Sequence, residues 1–482
     1  MRISASGVLI SIIVALCIIT LIVYYQLTGP GWDLIAHYQN GVSLLDPVLY
    51  SCLGSPPCGM MGNQLTFWYG TYFEPFRAPL SQVLFALIYP LSGSLSIIVY
   101  IAILFIAYLI AISIVCKRFG INRLIGYALM LSPYFIYVPI IPNSTEMLSL
   151  IFVLAGLVLL ADRSAWSGLL FGIAAVAKYP MLIFLPMPLL LLRPKSVMAS
   201  MLLFVLPTAA WLGFSQLLFH NPLASYEMVF GNVISNSAHV PISWAALIAV
   251  FGYQLLFLVV AIALLLTRRS AMRKVFKRAM KRLHYKKIVR TLLTDDVIYR
   301  YAVLAVMLAL SIIGFWYIGR NPDQLAQMRF GYFAAASSMI LVAVILTNAL
   351  KAFDKRAPIL VAVSTIAVLV VVLVAFYANR SLAIVSGTNN PSFAQAKAVL
   401  AELGLSNCRV VSNSWVYMIY RGVNAFPQFF FNSTTKTYPI VDFLNKSSAT
   451  NASYIEGLSS ARPVYTSPNF TILLPMNYKC YT

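Results

Sequence analysis

The chain has 482 residues, of which 61% are hydrophobic and only 10% are charged, and its formal net charge is +21. Soluble globular domains are about 45–50% apolar and about 25% charged, so this composition excludes an ordinary water-soluble protein. Because long apolar runs without charged residues account for the balance, the sequence predicts an all-α polytopic membrane protein.

Apolar runs long enough to cross a bilayer recur along most of the chain. A spanning helix needs roughly 20 mostly apolar residues, or somewhat fewer where other parts of the protein surround it. By this criterion we count about eleven candidate transmembrane helices. They are predicted at residues 7–27, 94–116, 124–141, 147–161, 164–178, 180–192, 197–218, 244–266, 301–318, 331–349 and 358–377.

The basic residues predict an orientation, because short loops rich in Lys and Arg stay in the cytosol. With Arg2 inside and the spans alternating, most of the basic residues fall in cytosolic segments. The N-terminus is therefore expected in the cytosol of a multi-pass cell-membrane protein. Residues 1–377 are predicted to form the transmembrane domain, and residues 378–482 a small soluble α/β domain on the extracytoplasmic face.

The first extracytoplasmic loop, residues 28–79, is far longer than a connection requires, which indicates a functional segment. It opens with GPGWDLIAHYQNGVSLL, whose apolar residues outline an amphipathic helix that could lie along the membrane interface. It closes with TFWYGTYFEPFRAPL, an aromatic stretch suited to headgroup depth that contains Glu74 and Arg77.

Three further charged residues lie at or near predicted spans, where charge is costly and marks candidate functional sites. They are Asp33, Lys178 and Arg329. The alternatives are a solvated helix start for Asp33, snorkelling for Lys178 and simple anchoring for Arg329. His37 lies one turn after Asp33 and could be its hydrogen-bond partner or a metal ligand, although no second ligand follows at a standard spacing.

The most basic segment, residues 267–300, lies between two predicted spans and contains RRSAMRKVFKRAMKRLHYKKIVR. An amphipathic basic helix in this position is expected to rest on anionic lipid headgroups. Nucleic-acid binding is the less favoured alternative, because no recognition motif accompanies the charge. Membrane lipids are therefore expected partners, and nucleic acid is not.

The C-terminal segment alternates between helical and extended patterns, which is typical of a small α/β domain. SFAQAKAVLAELG and NSWVYMIYRG predict helices, whereas CRVVS, PQFFF and NFTILLP predict strands. Glycosylation sequons concentrate on this segment and fit an outer surface. Their asparagines are Asn379, Asn432, Asn445, Asn451 and Asn469.

Four cysteines fall in segments predicted to lie outside the cytosol, where disulfides persist. Cys52 and Cys58 lie in the first loop, and Cys408 and Cys480 lie at opposite ends of the C-terminal domain. Pairing within each set is expected, and four unpaired thiols are the alternative.

Several segments together resemble a known family. Asp33, Tyr38 and the Leu44-Leu45 pair follow the first span, and TYFEPFRAPLSQVLFAL leads into the second. The stretches PNSTEMLSLIFVLAGLVLL, SGLLFGIAAVAKYPMLIFLP and MRFGYFAAASSMIL follow later. This order resembles the GT-C superfamily of membrane glycosyltransferases, in its protein mannosyltransferase-like and aminoarabinose transferase-like branches, over most of residues 1–377.

The resemblance implies a GT-C-like fold and a polyprenyl-phosphate sugar donor, used on the extracytoplasmic face with inversion at the anomeric carbon. The acceptor would be a lipid, a glycan or a protein. A carboxylate can take the proton from the acceptor hydroxyl, and Asp33 is the predicted general base, with Glu74 as its alternative or partner. Asp33 is followed by Leu34 rather than by a second carboxylate, so a divalent metal ion is left open.

Cationic groups are expected to stabilise the charge that develops on the departing phosphate. The predicted substrate and phosphate-binding residues are His37, Arg77, Lys178 and Arg329. Other functions are a transporter or flippase for lipid-linked sugars, a polymer ligase, or a non-enzymatic protein of cell-surface assembly. No inverted repeat is visible, which favours the enzyme over the transporter.

The predicted orientation can be tested with a reporter fused after Thr482. Alkaline phosphatase fused there should be active, because the enzyme folds only outside the cytosol, whereas a cytosolic fluorescent reporter should remain dark. A fluorescent fusion with inactive phosphatase would reverse the topology and remove Asp33 as the base.

Overall fold

A computed structural model of the chain describes residues 5–45, 66–68, 71–73, 78–132, 144–219, 221–227, 241–266, 295–320, 324–350, 357–378, 389–408, 410–412, 414–423, 425–427, 438–443, 461–476, 478 and 480. Four predicted site residues lie outside these ranges, as does the basic run between residues 267 and 294. The four are Cys52, Cys58, Glu74 and Arg77.

The described part of the chain is mostly helical. Its helices in chain order are α1 (Ala5–Thr28), α2 (Trp32–Ser43), α3 (Pro79–Ser92), α4 (Ser96–Phe119), α5 (Arg123–Met130), α6 (Ser144–Ala161), α7 (Trp166–Ala177), α8 (Pro186–Leu191), α9 (Pro194–Phe219), α10 (Trp244–Leu266), α11 (Asp296–Ile318), α12 (Gln324–Phe330), α13 (Tyr332–Leu350), α14 (Ala357–Ala378), α15 (Pro391–Glu402) and α16 (Trp415–Tyr420). Short 3-10 helices occupy Gly93–Leu95 and Tyr179–Phe184.

Within the residues that the structure describes, six helical segments are long and apolar enough to cross a membrane, in agreement with the membrane class that the composition predicts. They are Ala5–Thr28, Pro79–Phe119, Pro194–Leu217, Asp296–Ile318, Tyr332–Leu350 and Pro358–Ala375. The number of about eleven spans is not confirmed. Helix α7 has 12 residues and α5 has eight, so at 1.5 Å per residue neither matches a hydrocarbon core roughly 30 Å thick.

Helix α13 is the central element of the membrane domain. In Tyr332–Leu350, 78% of the apolar window is buried inside the protein, compared with 22% in Ala5–Thr28 and Pro358–Ala375. Its Ser337 hydroxyl lies 2.8 Å from that of Ser311 in α11, which satisfies both polar groups within the apolar interior. The outer helices, by contrast, expose large apolar side chains, as lipid-facing helices do.

The backbones of helices α7 and α9 lie in direct contact, because two glycines of α7 face α9. A Cβ atom on Gly168 would lie 2.0 Å from the Ser200 carbonyl oxygen, and one on Gly172 would lie 2.3 Å from that of Phe204. Small residues spaced four apart allow this close approach in membranes. The packing fixes the helix that leads directly to Lys178.

Helix α2 forms where the amphipathic pattern predicts it. Two side chains of the predicted apolar face, Ile35 and Ala36, are fully buried in protein. The position of this helix at the membrane interface stays a prediction.

The polypeptide divides into two compact units: residues 1–22 with 37–375, and residues 23–36 with 376–482. The first unit also holds the hairpin of β1 (Thr66–Trp68) and β2 (Thr71–Phe73). The second unit holds β3 (Val410–Ser412), β4 (Ala425–Pro427), β5 (Ile440–Phe443), β6 (Ala461–Thr466) and β7 (Phe470–Pro475).

These last five strands form one mixed sheet in the order β4-β3-β5-β7-β6. Strand β3 pairs in parallel with β4 and β5, whereas β7 is antiparallel to both of its neighbours. The rings of Phe393, Phe443 and Phe470 pack on one another in its core. Cys408 and Cys480 form the expected disulfide, with Cα atoms 4.8 Å apart.

The glycine packing generates a stability prediction. Gly172→Ala should destabilise the membrane domain by about 1–3 kcal/mol, because its Cβ would collide with backbone that cannot move independently. The matched control is Gly213→Ala on α9, where a Cβ has nothing within 4 Å. This control should be neutral or stabilising, because alanine favours the helix. Thermal unfolding of both variants in nanodiscs measures the difference, and equal midpoints would contradict the packing argument.

Candidate functional site

A fully buried carboxylate lies at the start of α6. Glu146 occupies the first helical turn, where a negative charge is favoured by the helix dipole, and its side chain has 0% exposure. The Thr145 hydroxyl donates to Glu146 Oε2 at 3.1 Å. Because an isolated charge in an apolar interior costs several kcal/mol, such a carboxylate requires cations close by.

Lys178 supplies the first cation from a break between helices. Its backbone is extended, with φ −157° and ψ 112°, between the end of α7 and the 3-10 helix that follows. Pro180 cannot continue α7, since it lacks an N–H and its ring would clash with the preceding turn. Lys178 Nζ donates to Glu146 Oε1, and the Lys178 side chain is only 11% exposed.

The residues around Lys178 hold the break in place. Val176 and Tyr179 are both buried in an apolar cluster that includes Trp211 of α9. The Tyr179 ring also packs on Tyr226 with centroids 4.7 Å apart. The non-helical backbone is thus embedded in protein, which is the condition under which irregular backbone is tolerated at membrane depth.

Arg329 supplies the second cation from α12. Its Nε and Nη2 atoms each lie 3.4 Å from Glu146 Oε1, and its side chain is 25% exposed. The next residue, Phe330, places its ring centroid 5.8 Å from Lys178 Nζ, within the range of a cation–π contact. Two cations from distant parts of the sequence therefore converge on one carboxylate oxygen.

The two cations border a pocket with mostly apolar walls. Lys178 and Arg329 line it, whereas Glu146 does not. The Ser311 side chain adds one polar group. The apolar part of the lining comes from the 3-10 helix and from α11, α12 and α13, and includes Met181, Ile183, Phe184, Phe315, Ile318 and Phe333.

The charges of this cluster favour an anionic ligand. Lys178, Arg329 and Glu146 carry two positive charges and one negative charge, and the surroundings are of low dielectric, where charge interactions are strong. A metal cation would be repelled by the two basic groups. Across the part of the chain that the structure describes, no group of three or more His, Cys, Asp or Glu could hold a metal ion.

The structure brings together two of the residues singled out from the sequence, Lys178 and Arg329. His37 does not line the pocket: it is buried on α2 in the same unit, and its Nδ1 atom is 2.8 Å from the Ser81 hydroxyl of α3. Asp33 lies in the first turn of α2 and belongs to the second compact unit. Glu74 and Arg77 lie outside the described residues.

Glu146 is the charged residue that the sequence analysis missed. In the sequence analysis it occurs only within the stretch PNSTEMLSLIFVLAGLVLL. The sequence did mark this position, because Glu146 is the sole acidic residue between Glu74 and Asp162 and begins an apolar run.

Comparison of the chain with protein-family models, curated proteins and solved structures gives no match.

A double-mutant cycle tests the buried cluster. Lys178→Met and Glu146→Gln should each destabilise the protein, and together they should cost less than the sum, with a coupling of about 0.5–3 kcal/mol. The matched control replaces Lys195, an exposed lysine at the start of α9. Lys195→Met should combine additively with Glu146→Gln. Thermal unfolding measures the stability of the six proteins in the two cycles, and additivity in the Lys178 cycle would refute the contact.

Proposed function

We propose that the chain is a membrane glycosyltransferase that moves a sugar from a polyprenyl-phosphate donor to a lipid, glycan or protein acceptor on the extracytoplasmic face, with inversion. The observation that carries this proposal is the convergence of Lys178 and Arg329 at the edge of an apolar pocket. A polyprenyl-phosphate donor has the complementary composition, with a phosphate joined to a long apolar chain.

The chemistry of transfer accounts for the cation pair. As the glycosidic bond breaks, negative charge develops on the phosphate of the leaving group. Preorganised cations in a site of low dielectric stabilise such charge more in the transition state than in the ground state. Lys178 and Arg329 would therefore act on the leaving group, and the apolar wall formed by Phe184, Phe315 and Phe333 would hold its chain.

The proposal assigns proton removal to a carboxylate of the first extracytoplasmic loop. Asp33 is the proposed general base, with Glu74 as its alternative or partner, and His37 and Arg77 are proposed to bind the donor or its phosphate. A divalent metal at these carboxylates is left open. The C-terminal domain would bind the acceptor or stabilise the enzyme, by analogy with similar tails in the GT-C superfamily.

A GT-C-like arrangement of about eleven spans is part of the proposal. It requires the shorter apolar helices to cross the membrane surrounded by protein. These are Thr145–Ala161, Trp166–Ala177 and Tyr179–Leu191. Helices buried in a bundle need less apolar length than isolated ones, because neighbouring helices rather than lipid cover their ends.

A flippase for lipid-linked sugars is the second candidate, and one observation favours it. The break at Lys178 separates α7 from the 3-10 helix that follows, and it carries one member of a buried charge cluster. Discontinuous helices that present charged or polar groups are typical of substrate sites in transporters. The two candidates share a ligand and differ in whether the sugar leaves its lipid.

A transfer assay distinguishes them. Purified protein in vesicles receives a radiolabelled polyprenyl-phosphate sugar and a membrane extract as acceptor source. Lys178→Met should lower the transfer rate about 100- to 1,000-fold, the usual effect of removing one transition-state donor. Asp33→Asn should lower it about 100-fold or more.

Lys195→Met is the matched control and should transfer at the native rate. Label that crosses the bilayer but stays on its lipid would favour the flippase. Equal transfer by the native chain and Lys178→Met would contradict the proposed role of the cation pair.

A further inference from the structure

Both cations of the pocket are held by one oxygen of one carboxylate. Lys178 Nζ and two nitrogens of Arg329 all approach Glu146 Oε1, while the Thr145 hydroxyl donates to Oε2. Glu146 thus has the position, relative to the two cations, that an oxygen of a bound phosphate would need. The transferase proposal does not explain why an acidic side chain should lie there.

Access to the cluster comes from the side of the cations. Lys178 and Arg329 are 11% and 25% exposed and line the pocket, whereas Glu146 is 0% exposed and does not. A ligand that enters the pocket therefore meets the cations before it meets the carboxylate. It can approach them without passing Glu146.

The contact between Arg329 and Glu146 is long enough that a phosphate could replace the carboxylate as the partner of Arg329. Its two N···O distances are 3.4 Å, longer than the roughly 2.7–2.9 Å of a strong charge-assisted hydrogen bond, and both end on the same oxygen. A phosphate offers several oxygens and can accept from the planar guanidinium with two parallel bonds. Lys178 lies on extended backbone outside any helix, so its direction is not set by a helical turn.

We propose that Glu146 is a built-in competitor for the donor phosphate: it neutralises Lys178 and Arg329 in the empty pocket and yields them to an incoming lipid-linked phosphate. This inference rests on the proposed function, since it concerns regulation of the same site. An empty pocket of uncompensated cations would attract any anion, and Glu146 prevents this. Only a ligand with both an apolar chain and a phosphate gains enough from the pocket to displace it.

A binding experiment tests the competition. The probe is radiolabelled farnesyl phosphate, a short polyprenyl phosphate, added to the full chain in phosphatidylcholine nanodiscs. Glu146→Gln removes the competing charge and should bind the probe about tenfold more tightly. This is the effect expected when the cations no longer have to break a charged hydrogen bond to residue 146 before they bind the phosphate. Lys178→Met should bind it about tenfold more weakly.

Two controls separate charge from packing. Glu146→Asp keeps the charge on a shorter side chain and should give an affinity between those of the native chain and Glu146→Gln. Farnesol lacks the phosphate, and its binding should not change with residue 146. If Glu146→Gln does not accumulate as folded protein, Glu146→Asp decides the matter on its own.

Affinity for farnesyl phosphate that is unchanged or weaker in the residue 146 variants would overturn the proposal, and so would a native chain that does not bind the probe. Failure of the inference and failure of the transferase proposal remain distinguishable. If the native chain transfers the sugar, but the residue 146 variants bind farnesyl phosphate with unchanged affinity, only the competitor role of Glu146 is refuted. Tighter binding in the variants without any sugar transfer refutes only the enzyme.

Discussion

A carboxylate without exposure to solvent must have cations beside it, and this requirement at Glu146 links three distant parts of the membrane domain. Glu146 begins α6, Lys178 follows α7, and Arg329 lies near the end of α12. Removal of one member leaves an uncompensated buried charge, which costs more than the pair contributes. The cluster is therefore not explained by a gain in folding stability. The free energy spent on burying its charges is better explained by a function that needs two cations beside an apolar pocket.

The local sequence around each partner explains how the cluster can be rigid. Gly168 and Gly172 allow α7 to lie against the backbone of α9, and Pro180 ends the helical path immediately beyond Lys178. The extended backbone of Lys178 therefore directly follows a helix whose position is fixed. Arg329 is placed less directly, by a seven-residue helix that ends just before α13, the most buried of the candidate spans.

The class of the protein was predictable because apolar length and charge depletion are properties of single segments. Lys178 and Arg329 were recognisable as candidates for the same reason, since charge within an apolar run is visible locally. Their convergence on Glu146 was not, because it depends on how three helices pack. The number of spans is not confirmed, because within the described residues only six helical segments are long and apolar enough to cross a membrane. In the C-terminal domain, β7 coincides with the predicted NFTILLP strand. Strand β5 has only four residues, too few to show a recognisable alternation of apolar and polar side chains.

The central claim is that Lys178 and Arg329 receive the phosphate of a lipid-linked ligand. The most direct measurement is a high-resolution structure of the full chain in lipid nanodiscs with a bound polyprenyl phosphate. The account predicts phosphate oxygens within hydrogen-bond distance of both Lys178 Nζ and the Arg329 guanidinium, with Glu146 separated from them and the chain along the apolar wall. A phosphate bound elsewhere, with both cations still on Glu146, would contradict it.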